Sequence, residues 1–375
     1  MTRRLTIKET NRAHPIRIVK PTDFTWEAGP EIDPQEVLRD PRFSLYCFDR
    51  EDNSAIFVQS GDQSAVDCAP FYYQAQVEQA IGLVSMPLGV FHRVAKDIPE
   101  PPNGIIFIHS VGRCGSTLLS KVLGAIPSVH SLSEPDDLTQ MLSMRDADGS
   151  SDEWLTRLII SSTRWRCKPR SGEPADWVAI KMRSEVLVLA DLIGPAFPRA
   201  KHFFLYRDAI SWMRSVFRNF PADRDVYDLE FNRKMEDSWG SSLPLIRQYR
   251  RDDAPMNPVQ VRILAWITCM EAYLKLNEMG IPLAAARFED LTSQPVPVLE
   301  QFFAFCGIDQ VDWNAIHEIL GRDSQAGTIY DREERRKLSR ELTDELVQDA
   351  RNLIATRATL GVPDVILPRT LCPTS

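Results

Sequence analysis

The stretch Gly104 to Leu119, GIIFIHSVGRCGSTLL, constrains the fold more than any other part of the chain. Four consecutive apolar residues, Ile105, Ile106, Phe107 and Ile108, read as a buried strand of the kind found inside a helix-covered parallel sheet. The strand runs into a turn with Gly112 and Gly115, then the hydroxyl pair Ser116 and Thr117, then a helix starting with Leu118 and Leu119. A helix N-terminus leaves backbone N–H groups unpaired and adds partial positive charge. Glycines let that backbone approach an anion closely, and hydroxyls add donors. Together these features form a phosphate cradle.

The loop departs from the nucleoside-triphosphate pattern, which places Gly-Lys before its Ser or Thr. Here Cys114 and Gly115 precede Ser116, and the only cation is Arg113. An anion is expected, but not the usual ATP. A net charge of −8 gives no support to nucleic-acid or anionic-membrane binding, so any polyanion site must be local. No apolar run reaches the ~20 residues a membrane span needs. The N-terminus, MTRRLTIKETNR, has no hydrophobic signal core. Seven cysteines, odd in number, scattered and without a Cys-x-x-Cys pair, read as reduced thiols, so a cytoplasmic location is expected. Six dispersed histidines show no ligand spacing, and no metal is expected.

A chain of 375 residues suggests two domains, or one large domain with an extension. The first break is Asp97 to Gly104, DIPEPPNG, whose prolines and glycine mark a linker. Residues 1–97 read as a small α+β extension, with short strands at 42–48 and 55–59 and a helix over 71–85. No chemistry is assigned to it. From 104 to 375 strands and helices alternate. The predicted strands are 104–109, 128–133, 177–183, 201–207 and 283–288. The predicted helices are 116–125, 152–165, 185–194, 209–219, 259–278, 296–306 and 333–356, the last supported by Leu338, Leu342 and Leu346. Such alternation implies an α/β domain, a mostly parallel sheet flanked by helices, with ligands at the carboxyl ends of the strands.

The strand ends carry chemistry. After the first comes the anion loop; after the second, Glu134 followed by Pro135. The third, WVAIKMR, ends with Lys181 and Arg183, on one face because side chains alternate. The fourth, KHFFLYR, ends with Arg207 and Asp208, with Ser215 on the helix beyond. This convergence on an acidic protein fits a ligand with several negative charges and one candidate base.

From about residue 104 to 330 the chain resembles the sulfotransferase family, which uses 3′-phosphoadenosine-5′-phosphosulfate (PAPS). Arg113-Cys114-Gly115-Ser116-Thr117 resembles that family's 5′-phosphosulfate loop, and with Leu118 it would bind the donor. Arg207 and Ser215, eight residues apart, match the family's 3′-phosphate pair. AIKMR resembles its lysine-bearing strand, placing Lys181 at the transferring group. ARFEDL, Ala286 to Leu291, resembles its Tyr-Glu-Asp-Leu segment with Phe288 in place of tyrosine. The small-molecule branch has a catalytic His two residues after the strand lysine, and here that position is Arg183. The carbohydrate and protein-tyrosine branches, which use a Glu after the second strand, are more similar. The resemblance therefore implies a P-loop sulfotransferase-like fold, PAPS as co-substrate without a metal, and Glu134 as base. Lys181 and Arg113 would stabilise charge, and the acceptor would be a hydroxyl or amine of a carbohydrate, lipid or other small molecule.

Each residue also has a plainer reading. The glycines could mark a simple turn, Glu134 a solvated carboxylate, Lys181 and Arg183 strand-end charges, and Arg207-Asp208 a local ion pair with a helix cap. His109 is a rival base that reads better as a structural residue. Cys114 could be an activated thiol but has no evident partner and is read as a spectator. Trp154, Trp165 and Trp239 could stack on a sugar or fill the core. The segment Asp323 to Arg332 could cover the nucleotide. Two other functions stay open, a P-loop kinase and a non-catalytic protein that binds PAPS or its bisphosphate product. Oligomeric state is not legible.

Overall fold

A computed structural model describes residues 1–12, 17–170, 175–218, 225–323 and 341–372. It contains two five-stranded sheets among these residues. The first is antiparallel, built from β1 (Arg3–Thr10), β2 (Phe24–Glu31), β3 (Phe43–Asp49), β4 (Ser54–Ser60) and β5 (Ala80–Pro87) in the order β2-β1-β5-β4-β3. Residues Phe43 to Phe48 of β3 are all buried, because helices cover that sheet. Trp165, on the helix Asp152–Arg166, packs against Phe57 at 4.7 Å and stacks on Phe91 at 5.9 Å. Trp165 is therefore core, the commoner fate of a tryptophan.

One expected helix ends early. Over 71–85 the chain forms a helix only at Tyr72–Glu78 and then enters β5. In the segment AIGLVSMP, Leu83, Val84 and Met86 are buried, and the strand pairs with both β1 and β4. Two antiparallel partners satisfy its backbone on both edges, and that tertiary pairing outweighs local helical pattern.

The second sheet consists of β6 (Gly104–Ser110), β7 (Val129–Ser133), β8 (Trp177–Lys181), β9 (Lys201–Tyr206) and β10 (Leu283–Arg287), in the order β10-β9-β6-β8-β7. β7 runs parallel to β8, and β10 parallel to β9. All five residues of β8 are buried, as a strand covered on both faces requires. Helices flank this sheet, including Ser116–Gly124, Ala209–Phe217 and Pro258–Glu278. The long helix Pro258–Glu278 starts from an Asn257–Gln260 capping box with proline at its first position. The expected helix 185–194 is instead a 3-10 turn, Ser184–Leu189, followed by the helix Ala190–Ala196. The last helix is Asp344–Ala355, capped by Thr343, with Leu346, Ala350 and Ile354 buried. Its predicted start, with Leu338, and nearly all of the 323–332 segment lie outside the described residues.

The chain divides into two compact units that are not continuous in sequence. One comprises Met1–Phe107, Ser120–Arg183 and Pro195–Ala200; the other comprises Ile108–Leu119, Ser184–Gly194 and Lys201–Ser375. The antiparallel sheet, β7 and β8 thus share one unit. In the other, the segment after residue 363 is tied to the sheet beside β10. Ala285 N–H donates to the Arg369 carbonyl at 3.0 Å, and Leu371 N–H to the Ala285 carbonyl at 2.8 Å. No helix among the described residues is long and apolar enough to cross a membrane.

Candidate functional site

In the second unit the loop after β6 has an unusual backbone. Gly112, Arg113 and Gly115 take φ of +75°, +54° and +88°. Left-handed residues in close succession turn backbone N–H groups toward one side, which makes an anion-binding concavity. Arg113 adopts this conformation without the freedom of a glycine, and such strain persists only where surroundings fix it. They do. The Trp212 indole donates to the carbonyls of Val111 and Gly112, both at 3.0 Å. An Arg207 amino group donates to the Arg113 carbonyl at 3.3 Å. The Cys114 thiol is buried and donates to the Leu205 carbonyl at 3.2 Å, so it anchors the loop to β9.

Glycine is required at two points of this loop. A Cβ on Gly112 would lie 2.9 Å from Ser184 Oγ, and one on Gly115 would lie 2.9 Å from Leu291 Cδ2. Ser116 and Thr117 are buried at the helix start, with Ser110 Oγ donating to Ser116 Oγ at 3.4 Å; Leu118 is half-buried beside them.

Arg207, at the end of β9, is held from three sides. Its Nε donates to Ser211 Oγ at 2.9 Å, its guanidinium lies 4.2 Å from the centre of the Phe288 ring, and its carbonyl accepts from the Trp266 indole at 3.1 Å. Burial lowers its pKa from the ordinary guanidinium value, and Glu289 opposes that shift. Phe288, in the tyrosine position of the ARFEDL segment, thus supplies a ring face for the arginine. Asp208 caps the helix Ala209–Phe217 by accepting from Ser211 N–H at 2.7 Å. Ser215 sits half-buried on that helix, one turn beyond Ser211 and on the same face.

In the first unit the tips of β7 and β8 carry a cluster of charges. Glu134 has φ of +61°, like Arg113 a non-glycine in the left-handed region, immediately before Pro135. Its N–H donates to the Lys181 carbonyl at 2.6 Å, which extends the β7–β8 pairing by one residue. Its carboxylate forms an ion pair with the Lys181 ammonium, whose side chain is only 3% exposed. The other carboxylate oxygen lies 3.9 Å from Arg183 Nε. Arg183 is also 2.8 Å from the fully buried Asp136. Burial pushes the Asp136 carboxyl up to about 6, with Arg183 pulling it back down.

His109 is buried and stacked on His202, with a 3.0 Å ring nitrogen contact, and burial holds its pKa well below the ordinary value. It is a core residue. Among the three tryptophans, Trp239 lies under the Arg262 guanidinium at 4.4 Å, and Trp154 is partly exposed.

Ser211, Trp212 and Asp136 escaped the sequence reading. Ser211 was within reach, four residues after Arg207 on a helix. Trp212 bonds loop carbonyls rather than side chains, and no spacing announces that.

A family model described as "Sulfotransferase family" matches residues 105–313. No curated protein matches the chain. Among solved structures, the chain is similar to a sulfotransferase from Alicyclobacillus acidocaldarius, at 16% identity and a TM-score of 0.42, over 70% of this chain and 95% of that one. It is also similar to the sulfotransferase domain from the curacin biosynthetic pathway, at 17% identity and a TM-score of 0.38, over 68% and 98%. A third similar structure, at 11% identity and a TM-score of 0.33 over 87% and 99%, is retinol dehydratase in a complex with retinol and PAP. Since the family match runs from β6 to beyond β10, over more than half of the 375 residues, the chain belongs to the sulfotransferase family.

Proposed function

We propose that this protein transfers a sulfuryl group from PAPS to a hydroxyl or amine of a carbohydrate, lipid or other small-molecule acceptor, with Glu134 as the base. The observation that carries the donor reading is the loop backbone, left-handed at Gly112, Arg113 and Gly115 ahead of Ser116. Gly112 and Gly115 carry no side chain in this turn, which leaves their backbone open to close approach by a ligand. Arg113, Cys114, Gly115, Ser116, Thr117 and Leu118 would hold the 5′-phosphosulfate. Arg207 and Ser215 would hold the 3′-phosphate.

In the reaction, the acceptor oxygen or nitrogen forms a bond to sulfur as sulfur's bond to the bridging phosphate oxygen breaks. The proton lost by the acceptor goes to Glu134, and the electron pair of the broken bond leaves with the adenosine bisphosphate. Lys181 and Arg113 offset the charge that grows on the bridging oxygen. The ion pair with Lys181 orients the Glu134 carboxylate, and the left-handed Glu134 backbone supports this assignment, since strain of this kind collects at reactive positions. Arg183 in the place of the small-molecule branch's histidine supports the Glu-base branch. The test is calorimetric titration with 3′-phosphoadenosine-5′-phosphate without magnesium, with ATP as control. Micromolar binding that is lost in Arg207→Ala supports the donor site; a preference for magnesium-ATP would replace this reading with a kinase.

A further inference from the structure

The residues before β6 lie outside the family match, yet some of them reach the Glu134 cluster within the first unit. Tyr73, 2% exposed on the helix Tyr72–Glu78, places its ring under the Arg183 guanidinium at 4.2 Å. A second guanidinium, Arg12, lies 5.2 Å from the same ring. Like charges brought around one ring repel unless each is compensated, and each is. Arg12 pairs with buried Asp23 at 2.8 Å, where the Tyr46 hydroxyl also donates at 2.6 Å. Arg183 pairs with buried Asp136, whose other oxygen accepts from Val19 N–H at 2.9 Å.

Buried ion pairs of this kind contribute little net stability, since desolvation offsets attraction, and apolar residues of like volume often serve as well. What the arrangement does accomplish is geometric. With its guanidinium over Tyr73, Arg183 has its Nε 2.8 Å from Asp136 and 3.9 Å from the Glu134 oxygen that Lys181 does not hold, so one positive group bridges the two carboxylates. We propose that Tyr73 is a positioning residue for sulfuryl transfer, acting through Arg183 to fix the Glu134 carboxylate. The segment before β6 then supplies part of the catalytic apparatus. This inference rests on Glu134 being the base.

Two readouts separate the inference from that reading. The first needs no substrate. The Glu134 carboxyl is titrated by carbon-13 NMR in the full-length protein with side-chain-labelled glutamate, its signal assigned by its loss in Glu134→Gln. Lys181, Arg183 and Asp136 are the charged groups beside it, with Arg12 on the far side of the Tyr73 ring, and none of them is replaced in Tyr73→Phe or Tyr73→Leu. Tyr73→Phe keeps the ring face and should leave the midpoint unchanged. Tyr73→Leu releases Arg183 and should raise the midpoint, as the loss of a nearby opposite charge does. Arg183→Met should raise it as much, and Tyr73→Leu added to Arg183→Met should add nothing. Arg183→Lys, which leaves Tyr73 intact and loses the planar group that stacks on it, keeps the test valid if Tyr73→Leu folds poorly, and its midpoint should differ from the wild type.

The second readout is release of the bisphosphate from PAPS with water as the acceptor. Tyr73→Leu should slow it about 10- to 100-fold, the range for a misplaced group, with bisphosphate affinity unchanged and Tyr73→Phe like the wild type. An unmoved midpoint in Tyr73→Leu, or equal effects with and without Arg183, would overturn the inference. A shifted midpoint with no effect of Glu134→Gln on turnover would overturn the assignment of the base instead.

Discussion

Replacing Gly115 by alanine tests the donor loop at its tightest point. Gly115 sits at φ +88°, and a left-handed alanine costs about 1–2 kcal/mol. The new Cβ would also stand 2.9 Å from Leu291 Cδ2 and 3.7 Å from Phe288 Cδ2. Leu291 is itself buried, so moving it overpacks the core at about 1–3 kcal/mol. The sum is about 2–5 kcal/mol, a fall in melting temperature of roughly 5–15 °C. Where the loop yields instead of Leu291, its N–H groups move away from the proposed anion. Losing one hydrogen bond to a charged group, about 1.5–3 kcal/mol, weakens bisphosphate binding about 10- to 150-fold. Gly149→Ala is the control. It carries the same left-handed penalty at φ +76° in a loop distant in sequence, against Asp152 Oδ2 at 3.3 Å. Calorimetry and thermal melts on both variants should show two destabilised proteins and only one with weakened binding. If Gly115→Ala binds the bisphosphate as the wild type does, the loop is a turn and not a cradle.

Two further outcomes follow from buried charge. Asp137→Asn should destabilise by about 3–5 kcal/mol, because it leaves the Arg166 guanidinium without the carboxylate it shares with Ser162 in the core; the joint replacement Asp137→Leu with Arg166→Met should recover most of the loss in a urea titration, and failure to recover would show that the pair is needed for more than charge balance. Stability should fall on acidification below pH 6.5, since burial lowers His202 to about 4 and the unfolded chain takes up that proton first. At pH 4.5 His202 alone accounts for about 2–3 kcal/mol. Asp136 acts with the opposite sign: its carboxyl is raised to about 6, so it costs stability above that pH and not below about 4. Urea midpoints from pH 4.5 to 7 should decline toward acid, and less steeply in His202→Asn; equal slopes would remove the histidine pair as the cause.

The parallel sheet was legible because its strands are continuous apolar runs, WVAIK and KHFFLY among them, which can be buried only between two helical layers. The tips were legible because their charged residues end such runs. Lys181 and Glu134 were each found alone, and their pairing follows from the register that sets Ser133 opposite Lys181. β5 was misread because its strand character comes from β1 and β4 on either side, not from its own residues. The Tyr73–Arg183 stack joins residues far apart in sequence, and no local pattern marks either as a partner of the other. The left-handed backbone of Glu134 was equally silent, since a proline after a residue argues for extended structure there.

The central claim is that Glu134 removes the acceptor's proton. Glu134→Gln keeps the shape of the side chain and its place beside Lys181 but cannot act as a base at neutral pH. Sulfuryl transfer from PAPS, followed as bisphosphate release with a screened acceptor, should fall by about 10²- to 10⁴-fold in this variant. Bisphosphate affinity, measured in parallel, should stay within a few-fold of the wild type. Turnover at the wild-type rate in Glu134→Gln, with donor binding intact, would contradict the account.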